Sequence, residues 1–166
     1  MAFPDDLLEQ ELHLANREPK RPKQASLRRA VSTAYYALFH LLSSETAKNW
    51  KRRAERVTIA RMLDHMPMSK VCEMKRNELD KYFETKPAAG PVLHVRKHLH
   101  MITNTFVDMR EQRQAADYND GKRWARTEVI EKIQSMQAAF QSWRVIREEP
   151  EAQNFLATLL LRGRRN

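Results

Sequence analysis

Two groups of polar side chains in this chain have the types and the spacing to act on a phosphodiester. Arg29, Thr33, Tyr36 and His40 recur at three- and four-residue steps, which places them on one stripe of a helix. Arg110, Arg113 and Asp117 are likewise three and four apart. Cutting RNA without a metal requires a base for the 2′-hydroxyl, an acid for the leaving oxygen and cations facing the phosphate. The candidates are Arg29, Tyr36 and His40 on the first stripe and Arg110, Arg113 and Asp117 on the second. If the two helices pack together, Asp117 orients Arg29 or His40 and leaves an arginine for phosphate. The competing reading is structural and is the commoner fate of such groups. In it Asp117 and the arginines satisfy one another between helices, with Tyr118 as a buried anchor.

Three further clusters carry less chemistry. Arg61 and His65 lie one turn apart, but a histidine closing a helix before Pro67 is the simpler explanation, since a cation is favoured at a helix C-terminus. His94 and His98 have the i, i+4 spacing that bites one metal ion, and His100 is close by. No carboxylate or cysteine stands beside them, so a solvated helix start is expected and no metal or other cofactor is implied. Cys72 has no nearby histidine and reads as a small core residue. Trp50 and Trp124 sit next to basic residues, where an indole stacks unpaired bases, yet packing under the fold is the expected role for them and for Trp143. Neither a glycine-rich phosphate loop nor a serine elbow occurs, so most enzyme classes have no support.

Charge points the same way as the polar stripes. The net charge is +9 over 166 residues, and from Lys20 to Arg56 ten Lys and Arg face only Glu45 and Glu55, a local excess of +8. Within that stretch Lys51, Arg52, Arg53 and Arg56 form the candidate RNA-binding patch, because neutralising phosphates releases condensed counterions. Arg162, Arg164 and Arg165 add a basic tail. A solvated helical face would look similar, so charge alone does not decide. With one cysteine, no intrachain disulfide is possible. The opening MAFPDDLLEQ is acidic where a leader would be basic, and no apolar run nears a membrane-spanning length. The expectation is a cytoplasmic protein that does not enter a membrane.

The elements that must position these groups are helical. Only 3 Gly and few β-branched residues accompany 8 Met, and no strand-like alternation or internal repeat appears. The periodicity predicts a first helix over 5–17, then a basic connector at 17–23 broken by Pro19 and Pro22. A long helix runs over 26–50, capped by Ser26, with Leu27, Ala30, Val31, Ala34, Leu38 and Leu42 inward. Pro67 interrupts the helical pieces between 57 and 84, and 85–91 is a surface loop. A second long helix over 92–116 carries Val92, Val95, Leu99, Ile102, Phe106 and Met109 inward and stops at Gly121. A third over 127–148 is capped by Thr127, and a last helix with a basic tail fills 150–166. The predicted architecture is all-α: a single domain over 1–166, an antiparallel bundle around two long central helices.

The run AVSTAYYALFHLL (30–42), followed far downstream by a helix ending REQRQAADY (110–118), resembles the HEPN superfamily, as does the order of these elements. VTIARMLDHMPMSKVCEMKR, AAFQSWRVIR and FLATLLL resemble uncharacterised bacterial members. The resemblance spans about 26–160, and Tyr35, Tyr36 and Tyr118 are its structural signature. It implies a bundle of four or five core helices that commonly dimerises. Many members are metal-independent endoribonucleases in toxin–antitoxin or defence systems, and others partner a nucleotidyltransferase or lack catalysis. The catalytic signature R-x4-6-H is not present, because Arg61 and His65, like Arg96 and His100, have only three residues between them. The expected role is therefore a binding or regulatory module for RNA or a partner protein. A metal-independent RNase and a purely structural interaction bundle are the alternatives.

Overall fold

The computed structural model describes residues 4–18, 20 and 23–164. Among them run α1 (Pro4–Asn16), α2 (Gln24–Lys48), a 3₁₀ turn (Arg53–Glu55), α3 (Arg56–Met62), α4 (His65–Glu84), α5 (Pro91–Tyr118), α6 (Arg126–Ile146) and α7 (Pro150–Arg162). The described residues contain no strand, and the class is all-α as the composition requires. Buried side chains from α1 to α7 form one continuous cluster.

The two longest helices lie at its centre. Leu27, Ala30, Val31, Ala34, Leu38 and Leu42 of α2 are all fully buried, the face that the three- and four-residue spacing selects. Cross-helix contacts give the directions. Arg28 bonds Ala116 while Tyr36 bonds Arg113, and the Tyr35 ring meets Phe106, so α2 and α5 run antiparallel. Lys132 pairs with Asp108 and Ser142 with His98, so α6 runs antiparallel to α5 as well. Asp80 meets His100, and Met66 meets Arg110, which makes α4 the third antiparallel neighbour of α5. A buried carboxylate ties α2 to α6. Glu45 accepts from the Trp143 indole at 2.9 Å and pairs with Arg147 at 3.2 Å. These bonds to its oxygens offset the cost of burying the charge.

Several boundaries depart from the sequence expectation, each for a local reason. α2 begins at Gln24 after an extended Lys23, so Ser26 is inside the first turn and its hydroxyl donates to Glu18 instead of capping. Thr127 likewise falls inside α6, whose cap position is Ala125. α5 begins at Pro91, which leaves Val92 of its first turn exposed rather than inward, and it continues to Tyr118; Gly121 is held by the Asn119 side chain within the following loop rather than ending the helix. Pro67 does not interrupt a helix. α4 starts two residues earlier, at His65, and a proline in the first turn costs no hydrogen bond. Residues 19, 21 and 22 of the basic connector, and 165–166 of the tail, lie outside the described residues.

Candidate functional site

The polar stripe of α2 faces the end of α5 and the junction between α3 and α4. Tyr36 accepts a hydrogen bond from the Arg113 guanidinium at 3.0 Å, and Arg113 Nε pairs with Asp117 one turn on at 2.8 Å. The Arg113 carbon also stands over both tyrosine rings, 5.3 Å from Tyr36 and 5.9 Å from Tyr35. Burial disfavours its charge, but Tyr36 and Asp117 more than offset this and hold the guanidinium above its ordinary range. Asp117 therefore orients Arg113, not Arg29 or His40 as the spacing suggested. Arg110 turns aside to the Met66 sulfur. Tyr118, expected as a buried anchor, is 75% exposed.

The residue that spacing undervalued is His65. It opens α4, with the Asp64 side chain accepting from its backbone N–H, so it sits at the positive end of a helix rather than the negative one. Its ring stacks on Phe39 at 4.0 Å and meets Tyr36 edge-on at 5.4 Å. Its Nδ1 is 2.8 Å from the Tyr35 hydroxyl. Burial, then the Arg113 guanidinium, pull its pKa down to about 4, with Asp64 opposing. Burial pushes the Tyr35 phenol well above its usual range, against the pull of Arg113 and Arg110. Tyr35 thus keeps its proton, and its hydroxyl shares a hydrogen bond with the neutral imidazole at Nδ1. The fold places these two aromatic groups together from 30 positions apart, so no local signal announced the pair.

His40 lies beside this cluster, 6.4 Å from the Tyr36 ring and 5.5 Å from Phe39. Burial lowers its pKa. It opens, with Ser44, Arg61, Asp64 and His65, onto a cavity of about 230 Å³. Arg29 lines a second, shallower concavity higher on α2, with Ser32, Thr33, Tyr36 and Asp117. Among the described residues Arg29, His40 and Arg61 make no hydrogen bond or ion pair. The rise of α2 separates Arg29 from His40 by about 16 Å, so the stripe is a groove wall rather than one catalytic point.

The predicted RNA-binding patch is divided. Arg52 is paired with Glu55 at 3.3 Å and Arg56 donates to the Trp50 carbonyl, while Lys51 and Arg53 are exposed. Trp50 is 38% exposed and its indole donates to Glu55, so it is not packed under the bundle. Trp124 and Trp143 are buried, and the Lys122 ammonium already covers the Trp124 ring at 3.7 Å, which leaves no face for a base. The three histidines of α5 diverge. His98 bonds Ser142 and His100 bonds Asp80, while His94 meets only the edge of His98. Among the described residues no three His, Cys, Asp or Glu gather as a metal set. Cys72 is fully buried, and burial raises its thiol pKa.

The fold and the site together define an all-α bundle whose central helix presents a cationic, histidine-bearing groove. No family model, curated protein or solved structure matches the chain. No described helix is long and apolar enough to cross a membrane.

Proposed function

We propose that this chain is a HEPN-like bundle that binds single-stranded RNA along the groove of α2. One observation carries the reading: Arg29 lines one concavity beside α2 and His40 and Arg61 line another, none with a hydrogen-bond or ion-pair partner among the described residues, while the neighbouring Arg113 is locked by Tyr36 and Asp117. An unpaired guanidinium beside a concavity is a ready phosphate contact, and Lys51 and Arg53 extend the positive surface beyond α3. The packing of the AYYA helix against the R…ADY helix supports the resemblance. The half-exposed Trp50 offers an aromatic face next to Lys51. The partners in this reading are RNA, a second copy of the chain and a nucleotidyltransferase-type protein.

Binding of a short fluorescein-labelled single-stranded RNA, followed by anisotropy at rising salt, tests it. The log of affinity is expected to fall linearly with the log of salt. Arg29→Ala and Arg61→Ala each weaken binding about three- to tenfold and lower the slope by about one. An affinity flat from low to moderate salt rules the reading out.

His40 favours a second reading, a metal-independent endoribonuclease. A histidine kept neutral by burial, without a hydrogen-bond partner and sharing a cavity with Arg61, is placed to take the 2′-hydroxyl proton. The freed 2′-oxygen attacks the adjacent phosphorus and the 5′-oxygen leaves, taking a proton from water. The products are a 2′,3′-cyclic phosphate and a 5′-hydroxyl, with Arg61 facing the phosphorane. Cleavage in excess EDTA that disappears in His40→Ala supports this. Cleavage that survives His40→Ala removes it.

A further inference from the structure

The backbone just after α7 returns to the candidate groove. Beyond α7, Gly163 accepts a hydrogen bond at 2.9 Å from the Asp64 backbone N–H, and Arg164 forms an isolated antiparallel bridge with Leu63. These are the residues just before α4. Leu63 and Asp64 both line the cavity that holds His40 and Arg61, and Asp64 caps the helix that His65 opens. Two ties therefore meet on one short linker, its own cap and a backbone from a helix almost a hundred positions away.

Gly163 is needed for this return. It is buried, and a Cβ there would stand 2.5 Å from the Leu159 carbonyl oxygen and 3.0 Å from Met68 Cγ. The first of these is backbone closing the last turn of α7, so it cannot give way as a flexible side chain would. Arg164, by contrast, joins through its backbone, and its side chain is left exposed beside a residue of the cavity wall.

We propose that the C-terminal arm, Gly163 and Arg164, is a working part of the groove: its backbone straps the Leu63–Asp64 linker so that His65 is set against Tyr35, and it lays the Arg164 guanidinium at the cavity rim as a further phosphate contact. The first half stands on the fold alone. The second half rests on the RNA reading. Three features converge on it: a glycine that admits the close approach, a backbone bond that fixes the linker, and an exposed Arg164 whose backbone bridges Leu63 of the cavity wall. A tail that was merely soluble would need none of the first two.

Proton exchange and histidine titration followed by NMR on the full chain test the strap. The Asp64 amide is expected to be protected in the native chain. In Gly163→Ala it exchanges about tenfold faster or more, and His65 titrates closer to the ordinary histidine value. If the Asp64 amide of the native chain exchanges as fast as an unstructured one, the strap is overturned whether or not the variant folds. A folded Gly163→Ala with an unchanged Asp64 amide and unchanged His65 titration overturns it too. Arg164→Ala leaves both signals in place and weakens binding of the labelled RNA about three- to tenfold, with a salt slope smaller by about one. Native chain that binds RNA equally well with Arg164→Ala overturns the rim contact. Native chain that binds no RNA, with the Gly163→Ala shifts present, removes the RNA reading and leaves the strap.

Discussion

Glu11→Leu is expected to stabilise the protein, by about 5 kcal/mol near pH 8, and to abolish the fall in stability that this group causes as the pH rises. Glu11 is 0% exposed, and neither carboxyl oxygen has a hydrogen-bond partner among the described residues. Burial pushes its pKa from 4.5 up to about 9. The unfolded chain releases this proton near 4.5, whereas the folded chain holds it until about 9. Stability from this group is complete below 4.5 and is lost as the pH rises through about 9, at a slope of about 1.4 kcal/mol per pH unit in between. Urea denaturation across that range separates the contributions. Glu11→Gln removes the slope but still buries an unsatisfied polar group, so it should match the native chain near pH 4.5 and exceed it only as the pH rises, remaining below Glu11→Leu throughout. Parallel pH profiles for the native chain and both variants would falsify the assignment.

The consequence falls on α1. This helix is held by half-buried Leu7, Leu8, Leu12 and Leu14, by an ion pair from Asp5 to Arg144, and by Arg126 reaching the Ala15 carbonyl. A buried acid in the middle of that face makes the docking of α1 weaker as the pH rises. His65 works in the opposite sense at lower pH. Between its unfolded value of 6.5 and its folded value of about 4, the unfolded chain binds the proton first, so stability falls with falling pH. Over roughly pH 4.5 to 6.5 the two groups offset one another, and above that window Glu11 acts alone. In Glu11→Leu the acid-side fall from His65 is left uncovered.

What the sequence shows and hides divides along physical lines. The buried face of α2 is periodic, and periodicity is a local property, so Leu27 through Leu42 could be assigned to a core without knowing what they pack against. The all-α class follows from the same signal repeated along α5 and α6. Ser26 and Thr127 are good caps in isolation, but the connectors put both stretches to other uses. Ser26 serves Glu18, and the loop before α6 is fixed instead by Gln24, which binds both the N–H and the carbonyl of Trp124. Glu11 carried a readable signal: it lies three residues after Leu8 and four before Ala15, within the apolar stripe of α1. His65 carried none. Its chemistry comes from Tyr35, Phe39 and Arg113, which reach it from two other helices, and Pro67 made the adjoining segment look like an end when it is a beginning. The stripe of Arg29, Tyr36 and His40 was legible as a stripe. Which of its members are locked and which are open to a ligand required the packing of α5.

Arg113→Met should raise the pKa of His65 from about 4 toward 6.5 and lower stability at pH 7 by about 1–3 kcal/mol. Methionine keeps the apolar stem of arginine, so what is lost is the charge, the hydrogen bond to Tyr36 and the pair with Asp117. Arg113 is the largest electrostatic contribution depressing His65, after burial itself. Removing it narrows the window in which the unfolded chain holds a proton that the folded chain lacks. The deficit of the variant is therefore largest near neutral pH and shrinks as the pH falls toward 4, because the native chain loses more stability over that interval than the variant does. A structural arginine with no electrostatic hold on His65 would give a constant deficit instead. Titration of the His65 ring by NMR, alongside urea denaturation at pH 7 and pH 5, distinguishes the two. A His65 that titrates at the same pH in both chains means that burial alone sets its charge, and then Arg113 serves α2 and α5 as a packing bridge and nothing more.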